Sequence, residues 1–213
     1  VAAAGLRTGD RLVPECDLVT MGPLKVISDG SLGTLTAWCH QPYGPAHRHG
    51  SANLDLAGLT ALMTLAREIG LEAAIHAIGD AAFAQTLDAF EGAGQRGRVE
   101  HAQLVEIGEL PHMAALGLTA SVQPWHLIDD RDATDQLWGD RSERVFAFRA
   151  LADAGIPLVL GSDAPVAPLD PWAAMAAAVH RSGDARGPWH PEQSLTVAEA
   201  LAASTDGRTT TAP

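Results

Sequence analysis

Five short aliphatic runs, each closed by a Gly, Pro or Asp cluster and followed by a longer segment of helical periodicity, leave this chain few architectures to choose from. The runs are Leu24 to Ser28 (LKVIS), Glu72 to Ala77 (EAAIHA), Arg98 to Ala102 (RVEHA), Leu118 to Val122 (LTASV) and Pro157 to Gly161 (PLVLG). Helical periodicity covers Leu54 to Ile69, Ala81 to Ala93, Leu104 to Leu116, Ser142 to Ala154 and Pro171 to Arg181. Strands and helices alternating at this length predict right-handed βαβ units and a parallel sheet. The strands are nearly continuous in apolar character, as suits a sheet covered on both faces. Gly70, Gly117 and Gly155 stand just before strands, where a left-handed helix cap needs a glycine, and Thr196-Val197-Ala198-Glu199 spells a capping box. One α/β unit without an interdomain linker is expected.

The net charge of −12 argues against a nucleic-acid partner, because phosphates call for basic patches. No run of about 18 apolar residues is present to cross a bilayer. Cys16 and Cys39 are neither closely spaced nor part of a paired framework, so a reducing, cytoplasmic setting is the expectation.

Chemistry concentrates where the strands end. In a parallel α/β sheet the carboxyl ends of the strands form the face that carries ligands and catalytic groups. His76, His101, Gln123 and Asp163 close four successive strands, and Lys25 lies within the first. A single histidine there is more often a hydrogen-bonded rim residue than a ligand, and Asp163 before Ala-Pro is also a natural turn former. Lys25 is harder to explain away, since an ammonium turned into a barrel has to be paired or neutralised. Taken together, the coincidences favour a metal site, in which imidazoles and a carboxylate suit Zn or a similar divalent ion.

The stretches GPLKVISDGSLGTLTAWCHQPYG, IHAIGDAAF, RVEHAQLV, ASVQPWH and LVLGSDAPVAPLDPW, followed by LTVAEALAAST, resemble the amidohydrolase superfamily, in particular its amidohydrolase-3, exoenzyme-regulatory-protein-like branch. They occur in family order from Gly22 to about Thr205. The resemblance implies a partial (β/α)8 TIM-type barrel, strands four to eight with their helices, lacking strands one to three and the small β domain. It implies hydrolysis of an amide or related non-peptide C–N bond of a small molecule by a metal-bound hydroxide. By the same resemblance Lys25 is the lysine that bridges metals as a carbamate formed with CO2, and His76 and His101 are metal ligands. Asp163 binds metal and accepts the proton. Asp80 orients the ligand shell, and Gln123 and His126 line the substrate pocket. One or two Zn ions are the implied cofactor. Trp38, Tyr43, Trp125, Trp138 and Trp172 are candidates for the pocket's apolar walls.

Two features depart from the family pattern. No His-x-His pair precedes Lys25; His47-Arg48-His49 has the spelling but sits in a Pro/Gly-rich loop and reads as solvent-exposed. Leu35 stands where the family carries an arginine, which removes one implied substrate contact. A half-open sheet presents unpaired edges, so self-association or a longer parent chain is expected. Two competitors to the hydrolase are a degenerate, non-catalytic fragment and a doubly wound nucleotide binder; the latter lacks a GxGxxG turn and a P-loop lysine.

Overall fold

The computed structural model describes residues 4–44 and 47–205. All five runs form strands, to within a residue at either end: β3 (Leu24–Ile27), β4 (Ala73–Ala77), β5 (Gly97–His101), β6 (Thr119–Val122) and β7 (Leu158–Leu160). They make one parallel sheet whose spatial order is the order in the chain. Each βα unit is thus added on the same side as the last. A doubly wound fold reverses its strand order at a switch point, and this sheet has none, which excludes the nucleotide-binder reading and leaves a segment of a (β/α)8 barrel. Ahead of it lies an antiparallel hairpin, β1 (Arg11–Val13) and β2 (Cys16–Thr20). The sequence reading missed this hairpin, whose strands are almost wholly exposed and lack an apolar alternation.

The helices are α1 (Leu56–Glu68), α2 (Asp80–Ala93), α3 (Leu110–Ala115), α4 (Pro124–Leu137), α5 (Phe148–Asp153), α6 (Pro171–His180) and α7 (Val197–Thr205). Gly70, Gly117 and Gly155 adopt positive φ as expected. In the capping box, the Thr196 and Glu199 side chains each accept from the other's backbone N–H. Two predicted helices are shorter than their periodicity. Leu104 and Val105 are taken from the first by tertiary pairing, with Leu104 N–H on the Ile78 carbonyl and Val105 N–H on Arg144. The second breaks at Phe146, which turns left-handed with a φ of 52° and donates to the Gln103 carbonyl.

The sheet's two faces have different jobs. Register aligns Val26, Ile75, Val99, Ala120 and Leu158 toward the helices, in one core with Leu59, Met63, Phe83 and Phe90. The alternate positions, Lys25, His76, Glu100 and Ser121 among them, belong to the concave inner face. Among the described residues β3 and β7 each have one unpaired edge, and Ile27 on the inner face of β3 is 56% exposed. No helix among the described residues is long and apolar enough to cross a membrane.

Gly79, between β4 and α2, lies where the chain passes close to the Trp38 backbone: a Cβ there would meet the Trp38 carbonyl oxygen at 2.0 Å. Backbone cannot yield as a flexible side chain does. Gly79→Ala should therefore lower unfolding free energy by at least about 2 kcal/mol, read as a fall in the urea midpoint at unchanged m value.

Candidate metal centre

The turn after β3 organises the site. Asp29 is fully buried, and its carboxylate accepts three backbone N–H bonds, from Trp38 (2.9 Å), Ile78 (3.1 Å) and Gly79 (2.9 Å). Its Oδ1 also lies 3.3 Å from His76 Nε2. That same Nε2 is 3.0 Å from the Gly30 carbonyl oxygen. A carbonyl only accepts, so Nε2 carries the proton and Nδ1 keeps the free lone pair. Asp29 is a site residue that the sequence reading did not single out; the signal that could have found it was a carboxylate two residues past a strand.

His76 reaches the cavity by ordinary alternation on β4. His101 does not, because alternation along β5 puts Glu100 on the inner face and would send His101 toward the helices. The strand ends instead with left-handed backbone at His101 and Ala102, φ of 71° and 43°, and the imidazole lines the cavity. Asp163 after β7 is left-handed too, at 56°. Non-glycine residues in this region are uncommon and cluster where a side chain must be aimed.

These side chains meet in a cavity of about 500 Å³ that Lys25, His76, His101, His126 and Asp163 all line. One nitrogen each of His101 and His126 and a carboxylate oxygen of Asp163 lie within 4.8 Å of one another. The His101 ring stands edge-on to His76, centroids 4.5 Å apart, and stacks with His126 at 5.8 Å. Burial, then the His76 and His126 imidazoles and the Lys25 ammonium, push His101 down to about 2. Its ring is therefore neutral, the form that has a lone pair for a metal. His101 Nδ1 and His126 Nε2 are buried without hydrogen-bond partners among the described residues. Orphaned imidazole nitrogens beside a carboxylate fit a divalent cation. Burial lowers Lys25 as well, while Glu100 and Asp163 pull it back upward.

Three expectations need correcting. Asp80 makes no hydrogen bond to the His76, His101 or His126 rings: buried at the start of α2, its carboxylate takes the His40 backbone N–H at 2.9 Å and faces Arg144, whereas Asp29 is the carboxylate beside the His76 ring. Gln123 is not among the residues lining the cavity; its Nε2 donates to the Ser121 carbonyl. None of the five aromatic candidates lines it either. Trp138 is buried and stacks on Tyr43 in the core, and Trp172 is 72% exposed; Ile27, Leu32, Ile78 and Val166 form the apolar wall instead. His126 lines the cavity as expected, yet its ring nitrogen also falls among the ligand atoms. His47 and His49 are exposed in their loop, as read from the sequence.

A run of sequential βα units with imidazoles and a carboxylate gathered at the strand ends defines a segment of a (β/α)8 barrel with a candidate metal site. The chain belongs to the amidohydrolase family, whose model matches residues 2–211. It is 35% identical over 198 residues to YtcJ of Bacillus subtilis (strain 168), which carries the name of an amidohydrolase, covering 89% of this chain and 37% of that protein. It is 29% identical over 204 residues to the N-substituted formamide deformylase of Arthrobacter pascens, covering 91% and 37%. The crystal structure of an uncharacterized metal-dependent hydrolase from Pyrococcus horikoshii OT3 superposes with a TM-score of 0.86 at 33% identity, over 96% of this chain and 42% of that one. The chain thus spans well under half the length of these relatives.

The buried Asp29 carboxylate accepts three backbone N–H bonds and faces the His76 ring, a set that an amide cannot reproduce. Asp29→Asn should cost about 2–4 kcal/mol of stability and make the loop after Gly30 the first site of limited proteolysis.

Proposed function

We propose that this chain carries the metal centre of a hydrolase that cleaves an amide or related non-peptide C–N bond of a small molecule. The observation that carries the reading is the convergence of His101, His126 and Asp163 donor atoms within 4.8 Å, on neutral imidazole. His76 would join through Nδ1, the nitrogen its bond to Gly30 leaves free. Zinc suits this donor set. A carbamate on Lys25, formed with CO2, would add two oxygens on the opposite wall. The cation, when bound, polarises a substrate carbonyl and acidifies water.

The chain's own residues do the rest. Asp163, set at the strand end beside Lys25, is the carboxylate that takes a proton in the hydrolytic step and returns it to the leaving nitrogen. Asp29 keeps His76 in one tautomer through a bond network that does not depend on the cation. The deformylase relative acts, by its name, on N-substituted formamides, which supports a C–N bond outside a peptide. The two unpaired cysteines suit a reducing, cytoplasmic setting.

The second reading, a fragment without a competent centre, is favoured by the open edges of β3 and β7 and by exposed Ile27. On either reading those edges favour self-association or continuation of the sheet in a longer polypeptide. Elemental analysis separates the two. The hydrolase reading expects about one equivalent of divalent metal per chain, falling below about a tenth in His101→Ala. Asp163→Asn should keep part of the metal and lose roughly a hundredfold in amide turnover. Less than about a tenth of an equivalent in the unmodified protein would establish the fragment reading.

A further inference from the structure

Beside the metal centre the cavity wall continues along α4, and there it is acidic. Helix α4 turns His126, Asp129 and Asp130 to the cavity from positions i, i+3 and i+4, one stripe of the helix. Asp130 is partly buried, and one carboxylate oxygen accepts from Gln103 Nε2 at 2.8 Å. Gln103, two residues past His101, is itself only 2% exposed. Neither Asp129 nor Asp130 has a cationic side chain within ion-pairing distance among the described residues, although the chain pairs many of its other carboxylates with arginine. His126 makes the same wall more than an acidic patch: it is nine-tenths buried, and its Nε2 has no partner.

A carboxylate withdrawn from water without a counter-charge persists where a ligand supplies one. Asp163 has Lys25 beside it, whereas Asp130 has the neutral amide of Gln103 and the His126 ring near it and no lysine or arginine among the described residues, and burial raises its carboxyl above the usual range. The cavity carboxylates left without an ion-pair partner therefore lie on α4. Gln103 occupies one oxygen of Asp130, which leaves the other free of that bond on a residue that lines the cavity.

We propose that Asp130, held by Gln103 and assisted by Asp129, is a specificity-determining residue that selects substrates bearing a positively charged nitrogen group, ammonium or guanidinium, on the arm away from the scissile bond. This rests on the hydrolase reading of the cavity for the word substrate, but the recognition itself does not require the metal. A cationic arm on α4 sets the distance from the charge to the bond that is cut, so the site would discriminate by the length of the arm as well as by its charge.

The test compares two near-isosteric probes, n-butylguanidinium and the neutral n-butylurea, titrated into the full chain by NMR, once metal-free and once with added zinc. Butylguanidinium should bind roughly tenfold more tightly, the scale of one charge-assisted hydrogen bond, and the preference should shrink in high salt. Asp130→Asn should abolish the preference while leaving zinc content unchanged, and Asp129→Asn should reduce it in part. Asp129 is exposed, so its variant carries the test if circular dichroism shows Asp130→Asn to be misfolded. Equal binding of the two probes, no binding of either, or a preference that survives the aspartate substitutions would overturn the proposal. A preference seen without any uptake of zinc would uphold it and remove the hydrolase reading; zinc uptake with no preference would do the reverse.

Discussion

The site depends on a single buried carboxylate. Asp29 lies two residues past β3, and with it the chain must do three things at once: release a long loop, hold the β4 to α2 turn in place and keep His76 pointing one way. Its oxygens accept the N–H groups of Trp38 in the loop and of Ile78 and Gly79 in the turn. These donors would otherwise be stranded inside the protein, where an unmet N–H is costly. The same carboxylate lies 3.3 Å from the His76 ring. Asn53 adds a second pin, donating to the carbonyls of Ile27 and Asp29. Loop, turn and ligand are therefore held by one group, and the glycine at 79 is the residue small enough to let the Trp38 backbone come that close.

The strands were legible because each is a short apolar run with a hard stop, and parallel pairing in chain order follows from the helices between them. Helix α4 was not legible. PWHLIDDRDATDQL has four aspartates and little apolar stripe, and it buries only His126, Leu127, Thr134 and Pro124, so there was no periodicity to find. The loss mattered, since α4 carries both His126 and Asp130. The same limit explains the metal centre. That His76, His101 and Asp163 end strands could be read directly, but the left-handed backbone that brings His101 and Asp163 into the cavity leaves no mark in residue type. The aromatic residues misled for the converse reason. Large rings are usually core, and Tyr43 with Trp138 is a core pair, while the cavity wall is made of aliphatic side chains too ordinary to single out.

The inner face of the sheet is unlike the interior of a packed barrel, which branched aliphatic side chains fill in layers. Here Lys25, Arg98 and Glu100 share it, with Arg98 Nε 2.6 Å from Glu100 and Glu100 acting on Lys25. Glu100 is 8% exposed, so its pairing with Arg98 meets most of the cost of taking a carboxylate out of water. It also leaves a negative neighbour under Lys25, opposing the effect of burial. Arg98 acts the other way, and the balance for Lys25 stays below the usual ammonium range.

Cohesion is concentrated on the opposite face. Phe83, Phe90, Leu59 and Met63 pack against Val26, Ile75 and Val99 with almost no exposure, and each such side chain contributes on the order of 1.5–3 kcal/mol. Because the helix layer holds the sheet, the inner face is free to carry groups that repel or strain one another, including left-handed histidine and aspartate at strand ends. The two faces communicate through the Asp29 turn. A substitution in the cavity that leaves that turn intact acts on chemistry, whereas one that opens the turn releases both the loop and His76, so stability and ligand geometry are lost together.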